Sequence, residues 1–142
     1  FLVVRSKGQS VFLEYQDHSE EERANPWDVL QTLVQRYTIG PLKGLPPFQG
    51  GFVGYWGYDL GRHLEHIPSY ADDDLQLPEM YLGLYDWVLA YDSDTSHLHL
   101  FSTGIPEYSS IKAEERANEI ISLLNNFELF IAITSLKIFP VA

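Results

Sequence analysis

The 142-residue sequence contains no cysteine and only nine basic side chains against twenty acidic ones. Without cysteine there is no disulfide framework and no thiolate metal site, which suits a reducing compartment, so a cytoplasmic location is expected. A net charge of −11 repels a phosphate backbone and sets nucleic acid aside as a partner. No stretch approaches the roughly 18 apolar residues of a membrane-spanning helix, and no basic segment precedes an apolar one near the start. A soluble chain with no membrane partner is expected. Internal repeats and low-complexity tracts are absent as well. The chain opens on Phe1 rather than Met, and Phe1 to Val4 reads as a strand already in progress, so a piece of something longer is expected.

What the sequence does have is apolar mass. Hydrophobic residues make up 45% and aromatic residues 14%, enough to build a core and to argue against disorder despite the charge. Leu2 to Val4, the turn Ser6-Lys7-Gly8 and the alternation of Val11, Leu13 and Tyr15 predict a hairpin. Asp17 to Glu22 reads as a solvated acidic loop. Asn25-Pro26-Trp27-Asp28 announces a helix, with a capping side chain, proline in the first turn and a carboxylate at the positive end of the dipole. Leu30, Leu33, Val34 and Tyr37 give it an apolar stripe.

Residues 39–49, with three prolines and two glycines, read as a connector, and Gly50 to Tyr58 as a glycine-tolerant strand. Asp59 to Glu65 predicts a short helix with Leu60 and Leu64 on one side, and Pro68 to Pro78 an acidic loop. Tyr81 to Asp92 reads as one long strand, Asp92-Ser93-Asp94-Thr95 as a turn, and His97 to Phe101 as a half-buried return strand. Ser109 or Ser110 caps a second helix whose face carries Ala113, Ala117, Ile120, Ile121 and Leu124. Strands with segregated helices define an α+β class: antiparallel sheets with packed helices. Residues 1–128 are expected to form one domain, and the apolar tail 129–142 has no assigned structure.

Four glycines, Gly50, Gly51, Gly54 and Gly57, lack both dinucleotide spacing and a phosphate-loop ending. They read instead as places where a backbone or a ring such as Tyr58 comes close. His63, Glu65 and His66, and separately His97 with His99, have metal-ligand character but no third or fourth partner, and read as surface histidines. Asp72-Asp73-Asp74 reads as a solvated charge run. Period-two alternation sets Asp86 on a face with Leu82, Leu84, Val88 and Ala90, where a carboxylate needs a partner. Arg62 is one candidate, a paired structural carboxylate is favoured over a general acid, and Asp59 with Arg62 reads as a local pair.

The run Pro47-Phe48-Gln49-Gly50-Gly51-Phe52-Val53-Gly54-Tyr55-Trp56-Gly57-Tyr58-Asp59-Leu60-Gly61-Arg62-His63-Leu64-Glu65 resembles the N-terminal region of the chorismate-utilising large subunits. These are component I of aminodeoxychorismate synthase and of anthranilate synthase. The resemblance extends over Pro26 to Phe101, through Leu77-Pro78-Glu79-Met80 and Leu84-Tyr85-Asp86-Trp87-Val88-Leu89, and the sequence after Phe127 departs from it. Phe48-Gln49-Gly50-Gly51 and Tyr58-Asp59-Leu60-Gly61-Arg62 look more like the aminodeoxychorismate branch.

The resemblance implies one portion of a large α/β sandwich whose whole subunit is a transferase. That subunit converts chorismate, with Mg²⁺ and with ammonia from a glutamine amidotransferase subunit, to 4-amino-4-deoxychorismate for p-aminobenzoate and folate. The family's magnesium ligands and catalytic groups belong to its C-terminal half, which no segment here resembles. A serine-containing motif that lines the family's tryptophan pocket is missing too. No catalytic, cofactor or metal residue is therefore assigned, and this chain alone is expected to be inactive. Gly50, Gly51, Gly54, Tyr58, Asp59, Arg62 and Asp86 stand as structural or interface candidates, with the chain's own catalytic half and the amidotransferase as the implied partners. Anthranilate synthase component I and a non-catalytic module that reuses this domain are the alternatives.

Overall fold

The computed structural model describes residues 1–125 with their side chains and the backbone of residues 136–140. These residues gather into two compact units, one made of residues 1–36 and 52–84, the other of residues 37–51 and the described residues from 85 on.

The first unit is built on a five-stranded sheet of β1 (Leu2–Lys7), β2 (Ser10–Glu14), β3 (Ser19–Arg23), β4 (Gly51–Trp56) and β5 (Met80–Tyr85), in the order β3-β2-β1-β5-β4. β1 pairs antiparallel with both β2 and β5. The predicted hairpin is present, and Gly8, at φ +56°, opens its two-residue turn. One face of β1, β2 and β5 presents Leu2, Val4, Val11, Leu13, Met80, Leu82 and Leu84, all buried.

α1 (Pro26–Arg36) lies against β2. Its start is capped by the Asn25 side chain, whose oxygen accepts the Trp27 N–H at 3.0 Å. The helix buries Val29, Leu30 and Leu33, whereas Val34, expected in the stripe, is half exposed. Val29 and Leu33, four apart, set the inward direction and turn Val34 toward water.

The acidic segment expected to be a loop is instead strand β3. It pairs antiparallel with β2 from Ser10↔Arg23 to Glu14↔Ser19, and every one of its side chains is exposed. Its main chain satisfies hydrogen bonds while its carboxylates stay solvated, a pattern suited to an outermost strand.

The second unit holds β6 (Trp87–Asp92), β7 (His97–Ser102) and β8 (Leu136–Pro140), in the order β6-β7-β8, with β7 antiparallel to β6 and parallel to β8. α2 (Ser110–Asn125) packs on β7. It is capped by Ser109, whose Oγ accepts the Lys112 N–H at 3.4 Å. Leu100, Ala117 and Ile120 form the centre of this core, with Trp87, Leu89, Ile121 and Leu124 packed around them. Of the tail 129–142, only Leu136–Pro140 falls within the described residues, as β8.

Two expectations change here. The long strand Tyr81 to Asp92 is broken at Asp86 into β5 and β6, which join different sheets. The alternation read through Asp86 therefore stops there, and Trp87 and Leu89, not Val88 and Ala90, face the core beyond it. β7 is buried on both faces, including His99 at 4% exposure, and is not the half-buried strand with a surface histidine that the alternation suggested; α2 covers it on the Leu100 side.

Candidate functional site

The segment that carries the resemblance, residues 47–65, is fastened mainly by side chains that bond main-chain atoms. Gln49 is buried and its amide closes the proline-rich connector: Oε1 accepts the Leu42 N–H at 2.9 Å, and Nε2 donates to the carbonyls of Leu42 at 2.9 Å and Pro46 at 3.0 Å. Gly50 and Gly51 follow with φ of +144° and +121°, conformations that a side chain would strain. A Cβ on Gly50 would also lie 2.8 Å from the Thr103 methyl group.

Gly54 sits directly against the backbone of β5. A Cβ there would lie 2.0 Å from the Tyr81 carbonyl oxygen and 2.9 Å from the Leu82 Cα, so a backbone, not a ring or a phosphate, fills the space. Gly57 donates its N–H to the Glu79 carbonyl at 2.7 Å and leads into a 3₁₀ turn, Tyr58–His63, in which Leu60 is buried.

That turn is shorter and tighter than the predicted helix, and Leu64 lies outside it, exposed. Trp27 Nε1 donates to the Leu60 carbonyl at 3.2 Å, and Asn25 Nδ2 to the His63 carbonyl at 3.4 Å. Asp59 and Arg62 form the expected local pair at 2.7 Å, and Arg62 also donates to the Ile67 carbonyl. Tyr58 is 85% exposed, so it is not the ring that fills a glycine gap.

Asp86 is buried, and its carboxylate accepts from Arg116 Nε of α2 at 3.0 Å. Arg62, the partner considered from sequence, is bonded instead to Asp59 and Ile67. The Asp86 carbonyl accepts both the N–H and the Oγ1 hydroxyl of Thr103, each at 2.9 Å, which fixes the break between β5 and β6. Burial works against the Arg116 charge, but Asp86 and Glu119 outweigh it and hold the guanidinium above its ordinary range.

Sequence reasoning did not pair Asp86 with Arg116, because 30 residues and the two strands β6 and β7 separate them. It also read His63 as a surface residue. His63 is part-buried, and its Nε2 lies 2.8 Å from Glu79 Oε2. Both of these residues stand in the motifs that carry the resemblance, and that was the available signal.

A cleft of about 230 Å³ opens in the first unit beside Tyr55, Tyr58, Asp59, Asp73, Asp74 and Leu75. It falls below the roughly 300 Å³ at which ligand pockets usually begin. Its one wall is pinned by Lys7, which pairs with Asp73 and donates to the Leu77 carbonyl at 2.8 Å. Among the described residues no group of three or more His, Asp or Glu stands close enough to hold a metal ion, and no helix is long and apolar enough to cross a membrane. The Mg²⁺ implied by the resemblance thus has no donor set among them, and no step is assigned to it.

A glycine-built strand, a stapled 3₁₀ turn and two mainly antiparallel sheets with packed helices make this a scaffold of one known kind. The chain belongs to the chorismate binding enzymes, whose family model matches residues 4–131. It is 36% identical over 125 residues to the anthranilate synthase component 1 of Acetivibrio thermocellus, a match covering 84% of this chain and 25% of that protein. It is 43% identical over 79 residues to the aminodeoxychorismate synthase component 1 of Escherichia coli K12, covering 55% of this chain and 17% of that protein. The crystal structure of anthranilate synthase component I from Streptococcus pneumoniae shares the fold, with a TM-score of 0.70 at 20% identity over 87% of this chain and 27% of that one. The chain spans a quarter or less of the length of these two curated relatives. Their designation as component 1 implies a second component in those synthases.

Proposed function

We propose that the chain is the N-terminal scaffold portion of an aminodeoxychorismate synthase component 1. In this reading the whole cytoplasmic enzyme converts chorismate and ammonia to 4-amino-4-deoxychorismate, on the way to p-aminobenzoate and folate. The observation that carries the proposal is the segment from Phe48 to Arg62. Its motifs look more like the aminodeoxychorismate branch than the anthranilate one, and its polar groups are spent on holding backbone: Gln49 on the connector, Asp59 and Arg62 on the 3₁₀ turn. Residues occupied in this way shape a support and leave acid–base chemistry to other parts of the enzyme. The partners are then the enzyme's own catalytic half, which would hold Mg²⁺ and the reacting groups, and a glutamine amidotransferase subunit that supplies ammonia.

A second reading, anthranilate synthase component 1, is favoured by the greater span of that match, 84% of the chain against 55%. Two chimaeras separate the readings. Residues 4–131 replace the matching segment of the Escherichia coli aminodeoxychorismate synthase component 1 in one, and of the Acetivibrio thermocellus anthranilate synthase component 1 in the other. Each is supplied with chorismate, Mg²⁺ and ammonium. The first should retain within about tenfold of its parent's rate and the second should lose more. The reverse order would assign the chain to the anthranilate branch.

A further inference from the structure

The two outer strands of the five-stranded sheet are built on opposite principles. β3, at one end, reads Ser19-Glu20-Glu21-Glu22-Arg23 and exposes every side chain. Three consecutive carboxylates and an arginine deter any further strand from adding to that edge. β4, at the other end, reads Gly51-Phe52-Val53-Gly54-Tyr55-Trp56, with no charge and no proline to guard it. Val53, Tyr55 and Trp56 are each between 43% and 52% exposed, and Tyr55 stacks on Tyr81 of β5 with ring centroids 6.3 Å apart, so an apolar surface continues from β5 to the rim. Among the described residues nothing pairs with the outer side of β4. An edge that a protein leaves apolar and unguarded by charge or proline is either an aggregation hazard or a place reserved for another strand.

The occupant follows from length and charge. The matched relatives are at least four times as long as the segment they share with this chain. A second copy of the chain would bring another net charge of −11 toward the same edge. We propose that the free edge of β4 pairs with a β-strand from the polypeptide that a full-length component 1 carries beyond this segment, so that the sheet of this unit is completed by the rest of the same enzyme. This rests on the functional reading above and names the surface through which that reading works. β4 then carries the join, with Gly54 letting it sit close on β5 from the inside while its outer amides and carbonyls stay available.

Hydrogen exchange measured on the same chimaeras, and on the 142-residue chain alone, tests this. In the chain alone, about half of the amides of residues 52–56 should exchange fast, as on any outer strand, and β3 should behave likewise. In a chimaera, all amides of 52–56 should become slow, by a factor of ten or more, while β3 keeps its fast half. Val53→Lys should remove that protection, and Glu21→Lys should leave it in place. Protection is read whether or not chorismate is turned over. A turning-over chimaera whose β4 amides stay half fast would overturn the edge proposal and leave the functional reading standing. Protected β4 amides without turnover in either chimaera would do the reverse. Protection that already grows with concentration in the chain alone would hand the edge to a second copy and overturn the proposal.

Discussion

A methyl group on Gly54 would place its carbon 2.0 Å from the Tyr81 carbonyl oxygen, well inside van der Waals contact, with backbone on the other side of the clash. Backbone yields less readily than a side-chain tip, so Gly54→Ala should already destabilise, and Gly54→Val should lower stability by about 1 to 3 kcal/mol or more. Urea midpoints measure this, and an unchanged midpoint would mean that β4 and β5 do not approach so closely. Asp86→Ala strands a guanidinium that keeps Glu119 at 2.7 Å and is itself 30% exposed. The expected loss is therefore about 1 to 3 kcal/mol, the range for a hydrogen-bonded group deprived of its partner, and not the larger cost of a fully buried pair. Glu119→Ala, on the exposed side of the same arginine, should change stability by less than about 0.5 kcal/mol.

Elements differed in how plainly they could be read. The capped helices and the first hairpin were legible because their signals are local: Asn25 before Pro26, Ser109 before Ser110, Gly8 at the turn. β3 was not, since its side chains describe a solvated surface and only the partner strand tells that its main chain is paired. The break at Asp86 was hidden for a similar reason, because it is held by Thr103, 17 residues on and just past the end of β7, and not by any residue with turn preference. In the site, the glycine approach was legible at Gly54 from residue type, whereas the 3₁₀ turn's ties to Asn25 and Trp27 depend on how the chain returns.

The loop 64–78 offers an element-scale test. The hydrogen bond from the Lys7 ammonium holds the Asp73 carboxyl below its ordinary value of 3.8, and the same bond raises Lys7 above 10.5. For a lowered carboxyl, the stabilising contribution is present above the unfolded value and lost as pH falls through the folded one. The tie to Asp73 should therefore hold at neutral pH and release only below about 3.8. The Gln76 amide, which bonds Asp73 Oδ1 at 3.0 Å, reports it. Its chemical shift should titrate with a midpoint below 3.8, moving toward 3.8 in Lys7→Met; a midpoint at or above that value in the unsubstituted chain would show that the tie is absent.

At the scale of the molecule, the two units are interleaved along the chain, so neither can be excised as one continuous stretch. Incubated alone with chorismate, Mg²⁺ and ammonium, the 142-residue chain should form neither 4-amino-4-deoxychorismate nor anthranilate. Product above that of a heat-denatured sample would place a working acid–base set within these residues.

The Gln49 clamp has a consequence for how this protein can vary. Both ends of its amide grip main-chain atoms, so the shape of the connector from Leu42 to Gln49 is written in one side chain and not in the ones it encircles. Lys43, exposed and outside that grip, is free to drift between lineages or to accept a tag or a fluorophore. Gln49 should be among the slowest positions to change, because even glutamate lacks the N–H donors that two carbonyls require.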